Sequence, residues 1–251
     1  MQYELLPINQ LRLLFSGRFD GLRDTYTPKA PSEGQETSST HSAFSPKVGL
    51  NYRYINTANQ VGNLYANVSR SFKAPTLDQL YDQRTIPVQF PPFKISLSNS
   101  ELKPQFGTNM EIGAYYRAAI LPNTLIGEVS LAAYAMEMRD ELDFSLEQFK
   151  YVNIGKSRHR GVEAGVRFYL EPGANVFVNY TRQSATSRFG ENTGKQLKAI
   201  PRDIITGGIS TTRASGLNGS LILKSANRIF LDDANTITLP NYTTLDAKIS
   251  Y

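Results

Sequence analysis

The sequence predicts an all-β fold: an antiparallel up-and-down transmembrane β-barrel, present as an open partial barrel of about ten strands. Three observations predict it. Apolar and polar residues alternate with period two, the alternating segments mostly run ten residues or more, and the connections between them are short and long in strict turn. Soluble strands average about 5–6 residues, whereas a tilted strand crossing a bilayer needs about 9–11.

The strands are expected near 11–20, 43–55, 61–72, 106–118, 125–139, 149–170, 175–187, 197–212, 217–230 and 241–251, with Gln2–Leu5 as the tail of a further strand that turns at Pro7 and Asn9 into the first of them, and with the strands near 11–20 and 241–251 as the two sheet edges. In the clearest of them Val162, Ala164, Val166, Phe168 and Leu170 fall on one face and Glu163, Gly165, Arg167 and Tyr169 on the other. Val48, Leu50 and Tyr52 alternate in the same way with Gly49, Asn51 and Arg53, and Met110, Ile112 and Ala114 with Glu111, Gly113 and Tyr115. The apolar set is expected to face lipid and the polar set the barrel interior, where Glu163 has a structural role. Gly161 is expected to permit strand curvature, and Pro75, which lacks a backbone donor, to end the ladder of strand 61–72. The short connections 56–60, 119–124, 171–174 and 213–216 are rich in turn formers. The long ones, 21–42, 73–105, 140–148, 188–196 and 231–240, carry Ser, Thr, Asn, Asp, Gly and Pro. Short turns on one side and long loops on the other are the pattern of an outer-membrane barrel.

Composition narrows the function. With no Cys, the chain has no disulfide, no thiolate metal site and no Cys nucleophile. The formal charge of +5 comes from scattered cations, and the densest run, Lys156 to Arg160 (KSRHR), reads as a solvated turn or an interface anchor rather than a nucleic-acid site. No stretch approaches the ~20 apolar residues of a membrane helix. His41 and His159 are the only histidines, each expected to be solvated or interfacial, and no nucleotide-binding or hydrolase motif is present. The Asp232–Asp233 pair with Asn235 nearby could hold Ca²⁺, but a lone acidic pair reads as a solvated loop. No metal site or cofactor is predicted.

Several motifs, in order, resemble the barrels of TonB-dependent outer-membrane receptors. They are SGRFD (16–20), FSPKVGLNYR (44–53), NLYANVSRSFKAPTLDQLY (63–81), NSELKPQFGTNMEIGAYY (from 99) and YVNIGKSRHRGVEAGVRF (151–168). Phe19 stands where the family usually has Tyr, and Gln105 where it usually has Glu. The resemblance implies a bacterial outer-membrane receptor, not an enzyme, that imports a bulky scarce nutrient such as an iron–siderophore complex. Its partners would be outer-membrane lipid, the TonB complex and the ligand. Ligand contact is expected in loop 73–105 from Tyr81, Arg84, Phe90 and Phe93, aromatics giving contact area and the cation holding an anionic chelate. Residues 1–251 are expected to be part of the barrel domain, matching the eleventh to twentieth of 22 strands, without signal peptide, plug or closing strands. A complete ten-stranded barrel enzyme and a soluble all-β binding protein are the alternatives.

Overall fold

The computed structural model describes residues 1–27, 36–82, 84–87, 89, 94–171, 173–213 and 215–251. In chain order its elements are β1 (Gln2–Ile8), β2 (Leu11–Tyr26), β3 (Thr37–Asn56), β4 (Gln60–Lys73), helix α1 (Leu77–Tyr81), β5 (Thr85–Pro87), β6 (Lys94–Ser96), β7 (Gln105–Leu121) and β8 (Leu125–Arg139). There follow β9 (Leu142–Ser145), β10 (Lys150–Asn153), β11 (Lys156–Leu170), β12 (Ala174–Ser187), β13 (Asp203–Thr211), β14 (Asn218–Ala226), β15 (Ile229–Phe230), β16 (Thr238–Leu239) and β17 (Tyr242–Ser250).

Eleven strands form one sheet in the order β1-β2-β3-β4-β7-β8-β11-β12-β13-β14-β17, each antiparallel to its neighbours in the order. Every step between neighbours is an up-and-down hairpin. The five short turns lie at one end and the five long connections, 27–36, 74–104, 140–155, 188–202 and 227–241, at the other. The outer strands of the order, β1 and β17, are not paired with each other among the described residues, so the sheet is open.

Three expectations are corrected. The strand tail expected at Gln2–Leu5 is a strand that runs on through Pro7 to Ile8 and pairs with β2 as an eleventh, so the sheet edge lies there and not at the strand near 11–20. The segment 149–170 is two elements: β10 pairs with β9 in a separate small sheet, and β11 enters the main sheet after a break at Ile154–Gly155, where Gly155 takes φ +80°. The first long hairpin is taller than its alternation suggested, with β2 and β3 paired out to Tyr26 and Thr37.

The register sorts side chains into two faces. One face carries Leu64, Ala114, Leu131, Ala164, Tyr180 and Ile205 in a single row across six strands. Large apolar residues of this face stay open to the surroundings: Ile112 is 63% exposed, Leu131 54% and Val162 49%. The fully buried apolar residues, Ala43, Leu80, Leu102, Met138, Ala185, Leu197 and Ala226, all lie at or near the loop end. A soluble sandwich would bury such a face against a second layer, and among the described residues no layer covers it.

The opposite face is polar and tightly fitted. Tyr65 lies directly across from Gly113 and Tyr134 from Gly161, and each ring covers its glycine. A Cβ added at Gly113 would meet Tyr65 at 2.4 Å, and one at Gly161 would meet Tyr134 at 2.7 Å. Gly161, read in the sequence as a point of curvature, therefore also gives a tyrosine its seat. Tyr65 donates to Glu111 (2.8 Å), Tyr134 to Gln183 (3.1 Å), and both Tyr115 and Tyr169 to Glu128 (3.0 and 3.2 Å). Arg167 stands over Phe177 and donates to Tyr169. Replacing Gly113 with Val is expected to expel the Tyr65 ring, break its bond to Glu111 and cost about 1–3 kcal/mol. Urea titration of the vesicle-inserted protein measures this, and Gly113→Ala, with a smaller clash, should lose less.

Candidate functional site

The long connections gather at one end and are stitched to one another in series. In the 74–104 connection, α1 is started by a capping box: Thr76 Oγ1 accepts from the Gln79 amide (3.4 Å) and Gln79 Oε1 accepts from the Thr76 amide (2.9 Å). Leu80 anchors the helix from below at 2% exposure. Tyr81 stacks on Tyr26 with ring centroids 4.6 Å apart and planes 5° from parallel. Arg84 forks onto Asp82, its Nε 2.9 and 3.0 Å and its Nη2 2.6 Å from the carboxylate, and its side chain is 80% exposed. That hydrogen bond holds the Asp82 carboxyl below its usual range. Of the four expected ligand residues, Tyr81 and Arg84 thus flank Asp82 at the end of α1. Phe90 and Phe93 lie outside the described residues.

Asn153 ties the 140–155 connection to the previous one. Its Nδ2 donates to the carbonyls of Lys103 (2.9 Å) and Asp140 (2.7 Å), and its Oδ1 accepts from the Lys103 amide (2.9 Å). Asn99 adds a bond to the Tyr151 carbonyl (2.9 Å). The next link is ionic: Lys198 Nζ lies 2.6 Å from Asp143 and 3.0 Å from Asp233, joining three connections at one ammonium. Burial alone would lower the pKa of Lys198, but the two carboxylates outweigh it and push the value up. Asn235 closes the series, accepting from the Gln196 amide (2.8 Å) and donating to its carbonyl (2.7 Å).

A cavity of about 670 Å³ opens among these connections, with Glu101, Lys103, Asp140, Glu191, Lys195 and Asp233 on its walls. Its size is in the range of pockets that hold organic ligands, and charges of both signs line it. Apart from Asp233, weighed as half of an acidic pair, none of these residues was singled out from the sequence, because each is an ordinary loop residue whose neighbours come from other connections.

Two other features read differently in the structure. His159 is neither solvated nor interfacial: its side chain is 16% exposed, with Nε2 3.1 Å from Ser157 Oγ and 3.4 Å from Glu141 Oε2. Ser157, 2% exposed, donates to Glu141. Both contacts use the same ring nitrogen and the hydroxyl is buried, so this cluster cannot act as a serine-type triad, which needs the base and the orienting carboxylate on opposite nitrogens. Burial would raise the Glu141 pKa, but the hydrogen bonds from His159 and Ser157 outweigh it and hold the carboxyl below its usual range. His41 bonds Ser39 Oγ at 2.7 Å. The Asp232–Asp233 pair is a structural element: Asp232 accepts from the Thr236 and Ile237 amides and the Thr236 hydroxyl, while Asp233 holds Lys198. No group of three or more His, Asp or Glu side chains is arranged to hold a metal among the described residues.

Comparison with known proteins gives this architecture a family. Residues 2–251 match the family model described as TonB dependent receptor-like, beta-barrel. The ferrioxamine receptor of Yersinia enterocolitica is 25% identical over 171 residues, which make up 67% of this chain and 23% of that protein. The ferric-catecholate import receptor Fiu of Escherichia coli K12, in its closed form, superposes with a TM-score of 0.66 at 20% identity, over 98% of this chain and 36% of the other. The ferric yersiniabactin uptake receptor FyuA of Yersinia pestis gives 0.67 at 16% identity, over 99% and 36%. This chain therefore spans 23% of the length of its sequence relative and 36% of each of these two solved chains. The family is one of transport receptors. With its open antiparallel sheet, uncovered apolar face and looped end, the chain belongs to the β-barrels of the TonB-dependent receptors of the bacterial outer membrane.

Proposed function

We propose that the protein takes up a bulky, scarce nutrient, an iron–siderophore complex, by TonB-dependent active transport, and that it catalyses no reaction. The observation that carries this reading is the pairing of a polar barrel wall with a stitched canopy of long connections enclosing a cavity of about 670 Å³. Such a mouth is a place to hold a ligand, and the wall beneath it, bearing Glu111, Glu128 and Arg167, is a surface past which a polar complex can move. The name of the ferrioxamine receptor supports an iron chelate as cargo. In the same reading residues 1–251 supply a section of the barrel wall.

Tyr81 and Arg84 are proposed as ligand contacts, with Phe90 and Phe93 of the same connection. Solvent screens an exposed ion pair, so Arg84 can exchange Asp82 for a ligand carboxylate or catecholate at little cost. Aromatic stacking holds Tyr81 in place before the ligand arrives.

Uptake of radiolabelled iron from a panel of chelates, in cells with and without TonB, tests the transport reading. The expected result is saturable uptake of at least one chelate that disappears without TonB; equal uptake in both strains would reject it. Arg84→Ala with Tyr81→Ala should weaken binding of that chelate by about 10-fold or more, while Asp82→Asn, which frees the guanidinium, should strengthen it. Unchanged affinity in all these variants would leave the 74–104 connection without a ligand role.

The canopy itself has a pH signature. The folded pKa of Glu141 is lowered, so its contribution is present above its ordinary value of 4.5 and is lost as pH falls through the lower folded value. The folded pKa of Lys198 is raised, so its contribution is present below the ordinary lysine value of 10.5 and is lost only above it. Amide exchange in residues 140–155 should therefore speed up in acid below pH 4.5, and Lys198→Met should speed it at neutral pH by about 10-fold, equivalent to about 1.4 kcal/mol.

A further inference from the structure

The polar face carries a second concavity at the short-turn end, opposite the mouth. Register puts Arg12 of β2 directly across from Asn51 of β3, and Arg53 of β3 directly across from Asn63 of β4. The four side chains therefore stand together on the face that bears Tyr65 and Tyr115. With the turn residues Asn9 and Gln10 they line a depression of about 460 Å³. Arg12 is the second residue of β2 and Arg53 the fourth from the end of β3, which sets the depression beside the turns 9–10 and 57–59.

Two irregularities of the backbone flank it. The pairing of β1 with β2 shifts register between Leu5 and Ile8, and that of β3 with β4 between Arg53 and Ile55. A bulge bends its strand and re-aims side chains, and bulges gather beside functional sites. The Arg53 amide donates to the Gln10 carbonyl (2.7 Å), which holds the first turn against β3.

The charge of this patch is unbalanced. Arg12 is paired with Glu4 (2.8 Å) and its side chain is 56% exposed, while Arg53 is exposed and makes no ion pair among the described residues. The Asn51 and Asn63 side-chain amides make no hydrogen bond among the described residues. Arg12 and Arg53 are diagonal neighbours across β2 and β3, about 7–8 Å apart at the backbone, a separation that two long side chains close easily. Farther along the same face the carboxylates already have donors: Glu111 accepts from Tyr65, and Glu128 from Tyr115 and Tyr169. Two guanidiniums and two amides thus face a single carboxylate, an array rich in donors and short of acceptors.

We infer that this depression is a release station for the cargo. An iron chelate bearing carboxylate or catecholate oxygens, once it has left the mouth, is held through those oxygens by Arg12 and Arg53 and by the Asn51 and Asn63 amides before it passes the turns. Guanidinium forks match such oxygens bidentately. Solvent screens so exposed a site, and it therefore holds an anion loosely, as a point of departure must. The inference rests on the transport reading above and adds to it a contact at the far end of the wall from Tyr81 and Arg84.

A cysteine at position 10 reads the charge of the depression and leaves the four side chains in place. These 251 residues contain no native Cys, so peptide mass spectrometry of the full-length Gln10→Cys receptor in detergent assigns the label to that position. A methanethiosulfonate carrying a sulfonate should react there about 10-fold faster than one carrying a trimethylammonium group. Arg12→Gln with Arg53→Gln should bring the ratio to about 1, and Arg12→Lys with Arg53→Lys should keep it to within a few-fold. Ferric citrate, as an anionic probe, should slow the labelling in the arginine protein and not in the Gln double variant. In cells the Gln double variant should bind a transported anionic chelate at the surface with unchanged affinity and import it about 10-fold more slowly. Equal rates of the two reagents in the arginine protein, a cysteine that neither reagent reaches because another part of the receptor covers it, or full-rate uptake by the Gln double variant would overturn the inference. A parent receptor that imports no chelate would instead fail the transport reading, which keeps the two failures apart.

Discussion

A bilayer core offers no hydrogen-bond partners, so every backbone N–H and C=O that crosses it must be paired within the protein. The rest of the structure depends on that requirement. It explains why β2, β3, β4, β7, β8, β11 and β12 run 14 to 20 residues, far beyond soluble strands, and why β11 is paired along its whole length with β8 and nearly so with β12. Once the ladder is fixed, side chains alternate between two environments, and the sequence has to satisfy both at once. Val162, Ala164 and Val166 lie on the uncovered apolar face, and Glu163, Gly165 and Arg167, in between, lie on the polar one.

Packing follows from this single-layer design. With no second layer over the apolar face among the described residues, the polar face is held by tyrosines laid over glycines and bonded to carboxylates, as at Tyr65, Gly113 and Glu111. Buried apolar residues gather at and near the loop end, where Leu80, Leu102 and Leu197 secure connections that stand outside the main sheet. Those connections are bound to one another by single side chains that bridge two or three segments, Asn153 and Lys198 above all. The receptor mouth is therefore built from polar contacts between connections, and the barrel wall from backbone pairing within the sheet.

These two kinds of construction also decide what the sequence reveals. Alternation is local, so the all-β class, the long strands, the segregation of long connections and the end of β4 before Pro75 are all readable from neighbouring residues. The strand at Gln2–Leu5 is readable, but its continuation to Ile8 is harder to read because Pro7 interrupts the alternation and the pairing with β2 shifts register between Leu5 and Ile8. Residues 149–170 look continuous because Lys150–Asn153 is itself a strand, and only the left-handed Gly155 separates it from β11. At the mouth, Lys198 finds its carboxylates 55 and 35 residues away, and no period or motif marks such a meeting. Arg84 was legible as an exposed loop cation, but its engagement with Asp82, two residues back, was not, since an Asp-x-Arg spacing is common in loops that form no fork. The KSRHR run shows the limit of reading by type: alternation divides it, so that His159 turns to Glu141 while Arg158 and Arg160 turn outward.

The central claim is that one face of this sheet meets lipid and the other water, with the change made at every residue. Site-directed spin labels at Ala164 and Gly165, read in the full-length receptor reconstituted in vesicles, test it most directly. The label at 164 should collide freely with oxygen dissolved in the bilayer and little with a water-soluble relaxant, and the label at 165 should show the reverse. Equal access at the two positions, or exchange of the two patterns, would contradict the account.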